Sequence, residues 1–79
     1  MGLTVSLIEI KLSQHNMSIQ CTAKMQELEM NMGNLTALSM RGAQREITGW
    51  LLKIGYVPAS RWTQYTTDVA IEATRYFRK

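Results

Sequence analysis

The side chains with the types that chemistry needs fall into two groups. His15 and Cys21 are the chain's one imidazole and one thiol. Such a couple is a nucleophile when the base lies within hydrogen-bond reach of the sulfur. Helical spacing places Cys21 on an apolar stripe and His15 in a polar connection before it. Cys21 therefore reads as a small buried hydrophobe. One Cys and one His fall short of the four ligands of a zinc site. Glu27 and Glu29, two apart on a helix, point to different faces and make no carboxylate pair. Gly33, Gly42, Gly49 and Gly55 are too scattered for a phosphate-cradling loop. The expectation is a non-enzymatic protein with no cofactor and no metal.

The second group is basic. Arg41 and Arg45 are four apart and share a face if the segment is helical. Lys53 follows on the same helix, Arg61 and Trp62 lie beyond it, and Arg75, Arg78 and Lys79 close the sequence. Arginine clamps phosphate bidentately, and tryptophan stacks on an exposed base. The candidate nucleic-acid-binding residues are Arg41, Arg45, Lys53, Arg61, Trp62, Arg75 and Arg78. Charge supports the choice. The net charge is +3, and it is uneven. Lys11 and Lys24 are outnumbered by Glu9, Glu27 and Glu29, whereas the remaining seven basic residues, all from Arg41 onward, face only Glu46, Asp68 and Glu72. A basic half attracts nucleic acid or an acidic protein. Leu52 lies at the angle between Arg41 and Arg45, and an apolar residue among arginines suits a protein interface. The second expectation is thus an interaction module or small inhibitor that binds an acidic protein partner.

The elements that must position these residues come from periodicity. Seventy-nine residues make one small domain with a thin core. From Leu3 to Leu12 the apolar residues alternate, Leu3, Val5 and Leu7 in one phase and Ile8, Ile10 and Leu12 in the other, which predicts a strand with a slip. Cys21, Met25, Leu28 and Met32 recur at i, i+4, i+7 and i+11, predicting a helix over 18–32 that ends at Gly33. Asn34 or Thr36 is its successor's candidate cap. Met40, Ala43, Ile47, Trp50, Leu51 and Ile54 share one sector of a second helix, which Gly55 stops and Pro58 keeps from resuming. Gly42 and Gly49 each mark either simple tolerance or a close approach of another backbone.

The tail, 60–79, fits two patterns. Thr67 as cap, Asp68 in the first turn and Arg75, Arg78 and Lys79 in the last describe a helix. Abundant Thr, Tyr, Trp and Phe describe two strands, Arg61–Thr67 and Ala70–Phe77, joined near Asp68. The fold expected is α+β: an N-terminal strand, two antiparallel helices forming a helical hairpin, and a C-terminal segment packing back. An all-α three-helix domain is the alternative. A lone strand leaves its ladder groups unpaired, so it pairs with the tail or with its own copy in a homodimer. The lone Cys21 fits a reducing, cytoplasmic setting. The apolar start is not preceded by a basic residue as in a signal peptide, and no apolar run is long enough to span a membrane.

Overall fold

The computed structural model describes residues 7–79, so Leu3 and Val5 of the predicted strand lie outside the described residues. The described residues form one antiparallel sheet crossed by one helix. In chain order the elements are β1 (Leu7–His15), β2 (Ser18–Met25), β3 (Leu28–Asn34), α1 (Met40–Lys53), β4 (Val57–Pro58), β5 (Thr63–Thr66) and β6 (Ile71–Arg78). The strand order is β3-β2-β1-β6-β4, with β5 also paired to β6. Both the helical hairpin and the three-helix alternative are therefore wrong: the described residues make a six-stranded sheet with a single helix.

The first predicted helix is a β-hairpin, β2 and β3. Cys21 and Met25 are four apart, a spacing that suits a helix and a strand equally. Ile19 and Ala23 decide between them. Ile19, Cys21 and Ala23 are buried on alternate positions of β2, the period-two pattern of a strand covered on one side. Glu9 through His15 pair with Lys24 through Ser18, so the β1–β2 connection is only Asn16-Met17. Asn16 takes a positive φ of 57° there, and Gln26 one of 55° at the β2–β3 turn. Gly33 does take the positive φ expected of it, 85°. It does so in the bulged ladder between β2 and β3, where the register shifts past Met32. The Asn31 side chain accepts its N–H at 2.8 Å.

The tail is two strands. β6 pairs with β1 from Leu7↔Arg78 to Gln14↔Ile71. Thr67 does act as a cap, but of the β5–β6 turn: its Oγ1 accepts from the N–H groups of Val69 (3.3 Å) and Ala70 (3.1 Å). Strand β1 thus has β2 on one side and β6 on the other, which removes the free ladder that argued for a homodimer.

The remaining helix matches its predicted bounds. Ser39, not Asn34 or Thr36, is the N-cap, and its Oγ accepts from the Gly42 N–H at 3.1 Å. Gly42 lies tight against that cap: a Cβ would sit 3.1 Å from Ser39 Oγ and 3.3 Å from Ala37 Cβ, so either neighbour would have to give by a few tenths of an ångström. At the far end Tyr56 N–H donates to the Leu51 carbonyl (2.9 Å) and Gly55 N–H to Leu52 (3.2 Å). Gly55 has a φ of 97°. These are the two bonds and the left-handed residue of a Schellman stop.

Antiparallel partners point to the same side of a sheet, so the register assigns two faces. The covered face carries Ile8, Ile10 and Leu12 of β1, Ile19, Cys21 and Ala23 of β2, and Ala73 and Phe77 of β6; α1 closes it with Met40, Ala43, Ile47 and Leu51. Trp50 and Ile54, predicted to be inward, are 46% and 44% exposed. The open face is polar. Tyr76 donates to Glu9 (3.1 Å) and Ser13 to Glu72 (3.3 Å) across strands. Hydrogen bonds to Glu72 and Glu9 raise the pKa of Tyr65 and Tyr76 above the usual phenol value.

Candidate nucleic-acid interface

Helix α1 lies across the sheet so that each flank borders a different strand. Toward β5 and β6 there is an open groove of about 560 Å³. Its helical wall is Arg41, Gln44, Arg45, Thr48, Gly49 and Leu52; its sheet wall is Trp62 and Arg75. Three of these are arginines and none is a carboxylate. Gly49 has no heavy atom within 4 Å of where a Cβ would stand, so the wall is low there.

Arg75 occupies an unusual register position. It faces Ile10 across the β1–β6 ladder, in the row that also holds Ala73 and Phe77. Among the described residues it is the one charged side chain in the helix-facing rows of the strands. Its stem is half-buried, and its head is fixed. Nε donates to the Ser60 carbonyl at 2.7 Å. Cζ lies 5.8 Å from the centroid of the Trp62 ring and 5.6 Å from that of Phe77. Trp62 meets Phe77 edge-on, with centroids 6.4 Å apart. The loop carrying Trp62 is pinned to β6, since Ala59 N–H donates to the Tyr76 carbonyl (2.8 Å) and Tyr76 N–H to Ser60 Oγ (3.0 Å).

Two neutral groups complete the groove. Gln44 Nε2 donates to Gln64 Oε1 at 3.2 Å, tying α1 to β5. Thr48 Oγ1 is shielded from solvent without a hydrogen-bond partner among the described residues.

Of the predicted site residues, Arg41, Arg45, Trp62 and Arg75 come together in this groove. Lys53 is exposed in the last helical turn. Arg61 is exposed in the loop beside Trp62 and is not part of the lining. Arg78 pairs with Leu7 and Val57 in the row facing away from α1. Lys79 lies over the Tyr56 ring at 5.1 Å. Gln44, Thr48 and Gln64 were missed; as neutral polar residues they carry no signal until the fold places them.

The other flank of α1 is different in kind. A smaller cleft of about 270 Å³ is lined by Met32, Leu35, Glu46, Ile47 and Trp50. Glu46 is held there by the Thr36 hydroxyl, which donates to Oε1 at 2.9 Å, so it is turned from the arginines. Cys21 is fully buried, with its Sγ 4.0 Å from the Met32 sulfur. Burial pushes its thiol pKa up to about 11, the inert state expected of a core cysteine. Leu28 and Met30 of the edge strand β3 remain exposed.

This arrangement defines a two-layer domain, one helix on an antiparallel sheet, with a cationic groove along one side of the helix. No protein family, curated protein or solved structure matches the chain. No helix among the described residues is long and apolar enough to cross a membrane.

Proposed function

We propose that this chain is a small non-enzymatic nucleic-acid-binding protein, of the kind that serves regulation, acting through Arg41, Arg45 and Arg75. The observation that carries the reading is the meeting of three arginines from facing walls in one groove without a carboxylate. Guanidinium groups that line one groove with no carboxylate in its lining repel one another in the free protein, and a polyanion relieves that repulsion. Each phosphate neutralised releases counterions, so binding weakens with salt. A reducing cytoplasmic setting, where nucleic acid is abundant, is consistent with the lone buried thiol.

The test is a titration with nucleic acid at low and high salt. Binding is expected at low salt and lost at high salt, and Arg41→Ala with Arg45→Ala is expected to flatten the salt dependence. Absence of binding at low salt would sink the reading. A second reading is favoured by one observation: Leu52 is half-exposed on the lip of the same groove. An acidic protein docking there would use Leu52 as an apolar anchor, and Leu52→Asp would abolish that complex while leaving the domain folded.

A further inference from the structure

We infer that the groove takes a single strand rather than a duplex, with Arg75 as a preset clamp on its phosphate backbone. This inference rests on the nucleic-acid reading above and narrows it to one class of ligand.

The first argument is where the charge stands. Double-stranded DNA is read by an element that protrudes into a groove about 12 Å wide. Here the arginine-bearing flank of α1 does not protrude alone. It is walled by the loop of Trp62, and Arg75 rises half-buried from the strand row behind it. A phosphate that reaches Arg75 must enter between α1 and that loop. A flexible strand can follow such a path. A duplex is stiff over about 150 base pairs and presents its phosphates on a convex surface.

The second argument is the state of Arg75. Its Nε is engaged by Ser60, and the guanidinium carbon lies 5.8 Å and 5.6 Å from the centroids of the Trp62 and Phe77 rings. The terminal N–H groups make no hydrogen bond among the described residues, and Arg75 lines the groove. Most of the rotamer entropy of a long side chain is then spent on folding rather than on binding. Lysine would keep the charge but lose the planar fork that meets phosphate bidentately. Trp62 is a positioning residue in this arrangement, because its ring lies against the Arg75 guanidinium and meets Phe77 edge-on.

The third argument is the chemistry between the arginines. The Gln44 amide lines the groove and, with one N–H given to Gln64, has its second N–H and its carbonyl oxygen to offer to base edges, which a single strand exposes and a duplex pairs. From Arg41 to Leu52 the helix rises about 16 Å, a length that suits a few nucleotides.

The experiment uses tryptophan emission. Trp50 lies on the opposite flank, so the Trp50→Phe chain keeps Trp62 as its sole tryptophan. It is titrated with oligothymidine and with the matched thymidine–adenosine duplex at low salt. Oligothymidine is expected to change the emission and to bind roughly tenfold more tightly than the duplex. Arg75→Lys is expected to weaken single-strand binding roughly tenfold, the loss of one charge-assisted pair, with its urea midpoint checking that the fold persists. Equal or tighter duplex binding would overturn the single-strand inference and leave the nucleic-acid reading standing. Failure of both probes, with binding of polyglutamate instead, would overturn both and favour the acidic partner. Unchanged affinity in a folded Arg75→Lys chain would remove the clamp.

Discussion

The two flanks of α1 are built on the same helix and the same sheet, yet they hold opposite chemistry. Toward β3 the sheet offers Met32 with Leu35 beyond it, and α1 answers with Ile47 and Trp50. Toward β6 the sheet offers Arg75, and α1 answers with Arg41 and Arg45. The buried spine of the helix, Met40, Ala43, Ile47 and Leu51, is too narrow to decide between them. What differs is the strand at each side. β3 is an edge strand that a thin core leaves partly exposed, and its apolar side chains gather Trp50. β6 lies between β1 and β4, and carries a charged residue in a row that is otherwise apolar. A side chain that breaks the inward row of a well-packed strand costs stability unless it is bonded or solvated; Arg75 is bonded at Nε and opens on a groove at its tip. The packing rule is thus broken on the cationic flank, whereas the other flank holds hydrophobics that a thin core leaves over.

The largest effect is expected in the core beneath the cationic flank. Phe77 is fully buried and backs both Trp62 and Arg75. Phe77→Ala should cost about 3–5 kcal/mol, a large share of the roughly 5–15 kcal/mol available to a domain. Urea denaturation measures it. A much smaller loss would mean that the Trp62 wall is not seated on Phe77 in solution.

The next effect separates the flanks. Arg41→Ala with Arg45→Ala removes two exposed cations, so stability should change by no more than about 0.5 kcal/mol. The slope of log affinity against log salt for a single strand should fall by about 1.4, at roughly 0.7 per phosphate contact. Trp50→Ser on the other flank should do the reverse: a lower urea midpoint and no change in nucleic-acid affinity. If Trp50→Ser weakens binding as much as the double arginine change, the two flanks do not have separate roles.

The sequence made one flank far easier to see than the other. Helix α1 was legible at both ends, because Gly55 and Pro58 punctuate it and the stripe from Met40 to Leu51 has a single period. Arg41 and Arg45 followed directly, since four-residue spacing on a helix needs no tertiary information. Cys21, Met25, Leu28 and Met32 misled because positions four apart satisfy two periods at once; the alternation of Ile19, Cys21 and Ala23 with Gln20 and Thr22 was the better guide. Thr67 misled in another way. A side-chain oxygen that accepts from the N–H groups two and three residues on is the same device at a helix start and in a tight turn. In the sequence, Arg75 stands out by its charge alone. Its real distinction, a place in the row of Ala73 and Phe77 opposite Ile10, exists only once the tail is a strand paired with β1. The Gln44–Gln64 bridge joins residues twenty apart and has no local signature.

A smaller effect tests the junction on which both flanks depend. Gly55→Ala meets no steric neighbour, so its cost is that of a left-handed φ of 97° on a residue with a Cβ. About 1 kcal/mol is expected. The Schellman bonds fix where the chain leaves α1 toward β4, and through the loop to Trp62. If the comparison holds, Gly55→Ala should perturb the emission of Trp62 more than that of Trp50, read in Trp50→Phe and Trp62→Phe backgrounds.

The smallest effect at neutral pH reads the apolar flank alone. Cys21 lies beneath it against Met32, with its thiol pKa raised from 9.0 to about 11 by burial. Because the folded state favours the neutral thiol, this contribution to stability is intact below about pH 9 and is lost as the pH climbs toward 11. The thiolate is the reactive form, so alkylation of the folded chain at pH 7 should be close to nil and should wait on opening of the flank. Trp50→Ser, which loosens the lid over Met32, should speed it. The Arg41 and Arg45 changes should not, because the cationic groove lies on the far side of the helix spine. Equal acceleration by both would show that the flanks open together, and the division between a packed side and a binding side would then hold only for the closed domain.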